Sequence, residues 1–444
     1  MDRQKRNRSW TPGIDQATTL AALTLAMLMI VLATQVQAQT FTVLHEFTGG
    51  SDGSNPYSSL VPDRAGNLYG VAPYGGSQSC ETQSGIGCGT VFKLAHRTGG
   101  WVFSPLYAFT GHSNGNNPVG SLAIASDGTI YGTTDAGGVL SCRDSFGDGC
   151  GTVFHLQPPP NFCSSFSCLW NATVLYQFTG GSNGNDPLAG VVLDGAGNLY
   201  GTLYQGGASQ WGAAYELSRS GSSWIESTIH PFAGGADGAA PTSNLIFDGS
   251  GNLYGTTEFG GGSGGCDGGG CGTVFQLTPS GSGWNANIIY NFLSSYNTPL
   301  GGLIFESHGN LYGTFADGIN GVFELTPANG NWTFTALYTQ DYSGLEAYRS
   351  TLARDSAGNL YGTAEFGGDF TNCTYGCGTV YELTPSGSGW TYTQLYAFTG
   401  LDDGAFPIGG VVIDGSGNIY GTTYEGGTHP CGSVGCGVVW EITP

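Results

Sequence analysis

Acidic side chains stand beside aromatic ones at one recurring position in this sequence, shortly after a Tyr-Gly segment. Carboxylates accept hydrogen bonds from hydroxyl groups, and aromatic rings stack on sugar rings or apolar side chains. The pattern therefore predicts a binding site for a sugar or a peptide. The acidic members are Asp135, Glu258, Asp317, Glu365 and Glu425, and the aromatic members are Tyr74, Tyr204, Phe259, Phe366 and Tyr424.

A second candidate lies in residues 341–349, where Tyr348 and Arg349 replace the proline and the uncharged residue of related segments. Arg354 follows five residues later. Because only seven basic residues follow residue 38, two of them on one predicted strand suggest a ligand site, to which Tyr342 and Glu346 would also contribute. The alternative is a solvated hairpin end, with Arg349 paired to Glu346 or Glu365.

Catalysis has weaker support than binding. The sequence contains no Gly-x-Ser-x-Gly elbow, no His-Glu-x-x-His motif and no phosphate-binding loop. We assign no catalytic residue, no cofactor and no metal. An extracytoplasmic glycoside hydrolase or polysaccharide lyase remains the alternative, using the rim carboxylates with Arg349, and hydrolysis would require two carboxyl groups about 5–10 Å apart.

These residues belong to a repeat of about sixty residues, best seen in the segment 413–423, IDGSGNIYGTT. An aspartate in the Asp-x-x-Gly-Asn unit can accept hydrogen bonds from nearby backbone amides, which explains the unit as a turn rather than a calcium loop. The tyrosines of the repeat are expected to pack between repeats. They are Tyr69, Tyr131, Tyr200, Tyr254, Tyr312, Tyr361 and Tyr420.

Twelve cysteines form six close pairs, and five of the pairs precede a Gly-Thr-Val-Phe-like segment. Zinc sites have more uniform spacers and bring pairs together, so local disulfides in an oxidising compartment are predicted. The predicted pairs are Cys80 with Cys88, Cys142 with Cys150, Cys163 with Cys168, Cys266 with Cys271, Cys373 with Cys377, and Cys431 with Cys436.

The first 38 residues have the pattern of an export signal: four basic residues, an apolar run, and a small-residue cleavage site ending at Ala38. The mature chain, residues 39–444, would carry seven basic and thirty acidic residues and hence a formal charge of −23. Such a charge disfavours nucleic acid and anionic membranes. We expect a monomer, secreted or periplasmic, that binds a neutral glycan or a surface protein and has no membrane contact after cleavage.

Each repeat predicts four strands. In the last repeat these are Trp390 to Phe398, Gly409 to Asp414, Asn418 to Thr423 and Gly437 to Ile442. Seven such units pack best as a seven-bladed β-propeller of four-stranded blades, an all-β fold. The segment Phe41 to Phe47 resembles the first of these strands, so it is predicted to pair with the C-terminal blade and close the ring.

The repeat pattern in Asn244 to Pro279, in which a Gly-Asn-Leu-Tyr-Gly-Thr-Thr segment precedes Gly-Thr-Val-Phe, resembles the GloVer tandem-repeat family of exported bacterial proteins. The resemblance covers residues 41–444. It implies a β-propeller and no assigned catalytic residues. Many members have a C-terminal surface anchor, and because this sequence stops at Pro444 we expect a protein without one.

Overall fold

The computed structural model describes residues 39–77, 80–82, 85–142, 149–159, 170–262, 270–281, 283–292, 298–307, 309–316, 319–341, 350–387, 389–431 and 434–444. These residues form seven antiparallel sheets of four strands, arranged as a seven-bladed β-propeller. The predicted fold is therefore confirmed. None of the helices in these ranges has the length and hydropathy needed to cross a lipid bilayer.

The blades are numbered around the ring, and their strands are given from the central channel outward. Blade 1 contains Val61–Pro62, Leu68–Ala72, Thr90–Arg97 and Gly100–Ala108. Blade 2 contains Ala123–Ile124, Ile130–Thr134, Thr152–Gln157 and Asn171–Gln177. Blade 3 contains Val192–Leu193, Leu199–Leu203, Ala213–Ser220 and Ser223–Pro231. Blade 4 contains Ile246–Phe247, Leu253–Phe259, Thr273–Ser280 and Gly283–Asn291.

Blade 5 contains Ile304–Phe305, Leu311–Phe315, Ile319–Ala328 and Asn331–Asp341. Blade 6 contains Ala353–Arg354, Leu360–Ala364, Thr379–Ser386 and Gly389–Ala397. Blade 7 contains Val412–Ile413, Ile419–Thr423, Val438–Thr443 and Thr40–Glu46. Minor elements are the strands Glu81–Thr82, Gly85–Ile86 and Ala239–Pro241 and the 3-10 helices His112–Asn114, Gly181–Asn183 and Gly235–Asp237.

The N-terminal strand closes the ring, as predicted. It lies beside Val438–Thr443 as the outermost strand of blade 7, and the Phe47 amide donates a hydrogen bond to the Gly437 carbonyl at 3.1 Å. The Phe41 ring stacks on Tyr396 of blade 6 at 3.9 Å between centroids. Pairing of this strand covers an edge that would otherwise be open to other chains.

The inner strand of blade 7 is shorter than predicted, because only Val412 and Ile413 pair within the sheet. Gly409 and Gly410 precede it at the channel, where a methyl group on Gly409 would lie 2.8 Å from the Ser58 carbonyl of blade 1. The segment before Val412 therefore packs against neighbouring blades instead of extending the strand.

The propeller has two faces, defined here by their connections. The turn face carries the Asp-x-x-Gly-Asn turns between the first and second strands. The loop face carries two kinds of loop. The glycine loop of a blade precedes its inner strand, as in residues 399–411 of blade 7, and the cysteine loop joins its second and third strands, as in residues 424–437.

The turns of blades 1, 3, 4, 6 and 7 are held by their aspartates, as the sequence indicates. The Asp414 carboxylate accepts hydrogen bonds from the backbone amides of Ser416 and Asn418 at 2.8 and 3.0 Å. It also accepts one from the Asn418 side chain at 2.9 Å and one from the Tyr420 hydroxyl at 3.0 Å. Four protein donors thus satisfy this carboxylate, which explains why the motif has aspartate, asparagine and tyrosine at these positions.

Packing between blades follows the predicted tyrosine series. The Tyr420 ring of blade 7 contacts Trp101 of blade 1 at 5.5 Å, in an edge-to-face arrangement. The same tyrosine–tryptophan contact joins four other neighbouring pairs of blades: Tyr69 with Trp170, Tyr200 with Trp284, Tyr254 with Trp332, and Tyr312 with Trp390. The tyrosines therefore help to hold adjacent sheets together.

Candidate functional site

Disulfides pin the cysteine loops of the loop face. Four of the predicted bridges are present, with Cα–Cα distances of 4.9 to 5.6 Å: Cys80–Cys88, Cys142–Cys150, Cys373–Cys377 and Cys431–Cys436. Cys271 is also disulfide-bonded. Its predicted partner Cys266 and the pair Cys163 and Cys168 lie outside the described residues.

Each of these bridges covers the glycine loop of the next blade. A methyl group on Gly400 of blade 7 would lie only 2.6 Å from the Cys377 sulfur of blade 6. The Cys377 carbonyl also accepts a hydrogen bond from the Phe406 amide at 2.9 Å. Because the sulfur and the carbonyl contact one neighbouring loop, the disulfide fixes the shape of the surface where two blades meet.

Blade 3 achieves the same contact without a disulfide. The indole of Trp211 lies against Gly234 of blade 4, at 3.1 Å from a methyl group built on that glycine. The Trp211 carbonyl accepts a hydrogen bond from the Ala240 amide at 2.9 Å. Sequence reasoning missed this role, although the signal was present, since Trp211 precedes Gly212 just as the second cysteine of a pair precedes its glycine.

The central channel holds a small cavity between the described residues. Its cavity measures about 40 Å³ and is lined largely by small residues, which is room for one or two water molecules. The Thr363 hydroxyl of blade 6 donates to the Gly409 carbonyl of blade 7 at 2.8 Å, and Thr133 makes the same bond to Ala189. These hydrogen bonds join neighbouring blades around the channel.

A larger cleft opens on the loop face between blades 6 and 7. It encloses about 590 Å³, within the range of ligand-binding pockets. Its walls come from the cysteine loop of blade 6 and from both loops of blade 7. The lining residues are Asn372, Cys373, Thr374, Gly400, Leu401, Ala405, Phe406, Glu425, Gly427, Thr428, His429, Pro430, Val434 and Gly435.

Glu425 is the acidic group of this cleft. Its backbone pairs with Ala405, so the side chain is held at the end of the second strand. The side chain is half-buried, and burial raises the pKa of its carboxyl group. No donor in the described part of the chain hydrogen-bonds to this carboxylate, which leaves it available to a ligand.

His429 lies on the outer wall of the cleft, where the N-terminal strand supports it. The Glu46 carboxylate accepts a hydrogen bond from the Thr428 amide at 3.0 Å, and His429 Nδ1 lies 3.7 Å from the same Glu46 oxygen. Hydrogen bonding from Thr428 holds the pKa of Glu46 below its usual value. Ring closure and the position of His429 are therefore coupled.

The apolar wall of the cleft continues into an exposed patch. The Phe406 ring contacts Phe366 of blade 6 at 5.7 Å, and Phe366 contacts Tyr375 at 6.0 Å. Around them lie half of the eight strongly exposed large apolar residues in the described ranges: Phe370 at 55%, Tyr375 at 72%, Leu401 at 56% and Val434 at 48%. Such clustering marks interaction surfaces.

An aromatic group borders Glu425 on the channel side. Tyr424 contacts the Tyr57 ring of blade 1 at 6.0 Å. Burial, then the charge and hydrogen bonding of Tyr74, raise the pKa of Tyr424. Because neighbouring strand residues point to opposite sides, Glu425 and Tyr424 serve different surfaces of the same rim.

The structure places the other predicted binding residues in separate locations. Asp135 of blade 2 is buried and accepts a hydrogen bond from Asn117 at 2.9 Å, whereas Tyr204 belongs to blade 3 and Glu258 to blade 4. Glu365 directly follows the second strand of blade 6.

Arg354 lies at the other end of that sheet. It pairs with Leu360, the first residue of the second strand, and its guanidinium lies 3.4 Å from Glu306 on the turn face. Tyr342, Glu346, Tyr348 and Arg349 lie outside the described residues. Glu425 is therefore the predicted site residue that the cleft contains.

Sequence reasoning missed Phe406, Leu401 and Val434. Phe406 occupies the position before proline where three other repeats have asparagine or aspartate and two have Ala240 and Thr298. Its φ is +55°, and a phenylalanine in this left-handed conformation is uncommon. Across the described ranges, His, Cys, Asp and Glu side chains form no group of three or more suited to a metal ion.

Several solved structures are similar to this chain at low sequence identity. A protein from Bacteroides uniformis with a proposed 6-phosphogluconolactonase activity is 15% identical, over 75% of this chain and 84% of its own, with a TM-score of 0.48. The polysaccharide lyase Uly1 is 12% identical over 87% and 90%, with a TM-score of 0.47. The aldose sugar dehydrogenase of Streptomyces coelicolor is 12% identical over 91% and 98%, with a TM-score of 0.44.

No curated protein matches the sequence. Residues 30–170 and 141–322 match the model of the Gloeobacter/Verrucomicrobia repeat. Together these ranges span more than half of the 444 residues. The chain therefore belongs to the Gloeobacter/Verrucomicrobia repeat family, as the Gly-Asn-Leu-Tyr-Gly-Thr segments of its repeats indicate.

Proposed function

We propose that this protein is an exported binding protein that holds an oligosaccharide in the cleft between blades 6 and 7. The observation that carries the proposal is the half-buried Glu425 carboxylate, which lines a cleft of about 590 Å³ and accepts no hydrogen bond from the described residues. Sugar hydroxyl groups are the donors that such a carboxylate can bind.

The remaining walls support the same ligand class. Asn372, Thr374 and Thr428 offer polar groups, while Phe406 and Leu401 offer apolar surface in the same cleft. A sugar ring has polar edges and apolar faces, so it matches this mixture better than a purely apolar ligand does. The disulfide Cys373–Cys377 keeps the cleft preorganised, which lowers the entropic cost of binding.

Export is part of the proposal. Residues 1–38 would direct the chain out of the cytoplasm and be removed after Ala38. Disulfides support this location, because they persist mainly in oxidising compartments. Amino-terminal sequencing of the protein from its native cell envelope or medium tests it, and an intact residue 1 in the exported protein would contradict cleavage.

The binding test compares substitutions of two apolar residues that are exposed to a similar degree. The mature protein is screened on a glycan array, and the best oligosaccharide is titrated by calorimetry. Leu401→Asn, in the cleft, should weaken binding at least tenfold, whereas Ile225→Asn should leave it within about twofold. Leu401 is 56% exposed and Ile225, on blade 3, is 50% exposed. Equal binding by both variants would place the ligand elsewhere, and an array without any ligand would refute glycan binding.

A second candidate is hydrolysis of the bound glycan, favoured by the raised pKa of Glu425 and the presence of His429 in one cleft. Glu425 would donate its proton to the leaving oxygen as the glycosidic C–O bond breaks. His429 would accept a proton from the water that adds to the anomeric carbon. New reducing ends that disappear in Glu425→Gln would establish this activity, and their absence during prolonged incubation would exclude it.

A further inference from the structure

Charge is distributed unequally over the two faces of the propeller. Five of the seven basic residues after residue 38 are described, and all five lie toward the turn face: Arg64, Lys93, Arg97, Arg219 and Arg354. Arg64 follows the turn aspartate Asp63, while Arg97 and Arg219 end third strands at the hairpins of that face. The other two, Arg143 and Arg349, lie outside the described residues.

Contacts on the turn face hold three of these cations. Arg354 pairs with Glu306 at 3.4 Å. The Lys93 ammonium lies 5.0 Å from the centre of the Tyr69 ring, and the Arg219 guanidinium lies 5.3 Å from that of Trp224. Their partners lie on the same face, so these cations do not neutralise the loop face.

The three loops around the cleft contain acidic residues and neither lysine nor arginine. The acidic residues of segments 365–378, 399–408 and 424–437 are Glu365, Asp369, Asp402, Asp403 and Glu425. Asp403 accepts hydrogen bonds from Thr399 and Tyr396, and Asp369 accepts one from Thr371. Glu425 differs from these two because it lines the cleft and receives no hydrogen bond from the described residues.

The basic residue in the cleft lining is His429, and Glu46 lies 3.7 Å from its Nδ1. A protonated His429 would therefore be largely compensated by Glu46. Among the described lining residues, Glu425 is thus an acidic group without a compensating cation, and its partly desolvated position strengthens its attraction for an opposite charge.

Resting on the proposed glycan-binding function, we propose that the ligand is a cationic oligosaccharide of amino sugars, whose ammonium group pairs with the Glu425 carboxylate. The sugar ring then packs against Phe406 and Leu401, and Asn372 and Thr374 bind its hydroxyl groups. A partly buried ammonium–carboxylate hydrogen bond is stronger than one between neutral groups. The cleft therefore discriminates between an amino sugar and its N-acetylated form, which has the same ring and no charge.

The experiment compares three pentasaccharides of equal length and linkage: β-1,4-linked glucosamine, N-acetylglucosamine and glucose. The mature protein is titrated with each by calorimetry at about pH 5.5, where most amino groups are in the protonated ammonium form. We expect the glucosamine pentamer to bind at least tenfold more tightly than the two neutral ones, and its advantage to shrink in concentrated salt.

Glu425→Gln should remove the preference for glucosamine, so that the variant binds all three pentamers with affinities within about threefold of one another. Glu258→Gln, at the corresponding rim of blade 4, is the matched control and should keep the preference. Equal binding of all three sugars, or a preference that survives in Glu425→Gln, would overturn the charge-pairing inference alone. No binding of any of the three would refute this inference and contradict the proposed glycan site as well.

Discussion

At the scale of single residues, the turn aspartates accept several hydrogen bonds each. The Asp248 carboxylate accepts hydrogen bonds from the amides of Ser250 and Asn252, from the Asn252 side chain and from the Tyr254 hydroxyl, at 2.7 to 3.2 Å. An amide in its place would direct an NH2 group at donors, so at least one hydrogen bond would become a repulsive contact.

Asp248→Asn is therefore expected to lower the free energy of unfolding by about 1–3 kcal/mol, the cost of leaving such partners unsatisfied. Urea denaturation measures the change. Tyr254→Phe is the control, because it removes one of the four donors and should cost about 1 kcal/mol or less. If Asp248→Asn were as stable as the wild type, the turn would not depend on the carboxylate.

The same turns predict acid sensitivity. Burial raises the pKa of Asp248 and Asp414, but hydrogen bonds from the following residues outweigh it, so both pKa values are lower than in an unfolded chain. The unfolded state then binds protons first as the pH falls. The stability from these groups is complete above the unfolded pKa and is lost as the pH falls through the lower folded values.

These two aspartates should therefore have little effect on the pH dependence of the melting temperature above about pH 5 and should lower it below about pH 4. Calorimetry measures the melting temperature. The double variant Asp248→Asn with Asp414→Asn should melt at a lower temperature near neutral pH and show a shallower fall in acid. An equally steep fall in the double variant would assign acid denaturation to other groups.

Residue identity alone predicted one member of the cleft. Glu425 was predicted because acidic residues recur at its position. Phe406 lies in a loop, and the sequence alone does not show that its side chain lines the cleft. Exposure of Leu401 and Val434 depends on the path of two loops from different blades. No local pattern specifies that path, so the cleft could not be found before its neighbours were placed.

At the scale of elements, the loops between second and third strands use different residues to make the same contact with the next blade. Cys377 and Trp211 occupy equivalent positions, and each covers the first glycine of the next glycine loop and accepts a hydrogen bond from that loop. Strand positions were predictable because β-favouring residues alternate with turn signals. The contact between loops was not predictable, because cysteine makes it in one blade and tryptophan in another, and these residues share no chemical type.

Trp211→Ala should destabilise blade 4 although the side chain is 51% exposed. The buried half of an indole contributes about 2 kcal/mol, and its removal uncovers Gly234. Hydrogen–deuterium exchange should increase across Gly234 to Ala240, whose last amide bonds to the Trp211 carbonyl. The control is Ile225→Ala, at a residue that is 50% exposed on the outer strand of blade 3. It should leave hydrogen–deuterium exchange in Gly234 to Ala240 unchanged. Equal exchange in both variants would show that Trp211 does not support the loop.

At the scale of the whole molecule, ring closure depends on the N-terminal strand, which pairs with the last strand of the chain. Deleting residues 39–47 would leave Val438–Thr443 as an open edge and remove Phe41, Val43 and Phe47 from the packing of blade 7. The lost apolar burial alone is expected to cost about 5 kcal/mol. Calorimetry should show a much lower melting temperature, and light scattering should show association through the open edge.

A circular permutant keeps the N-terminal strand but moves it away from the start of the chain, so it tests whether the strand itself or its terminal position matters. Joining Pro444 to Gln39 by a short turn recreates the hairpin between third and outer strands found in blades 1, 3, 4, 5 and 6. New termini fit between Gly99 and Gly100, which have open space around them. The permutant should remain monomeric, melt within a few degrees of the wild type and retain ligand binding.

The deletion of residues 39–47 should also weaken ligand binding, because Glu46 no longer supports Thr428 and His429. A deleted protein that stayed monomeric with an unchanged melting temperature would show that the first strand does not close the ring.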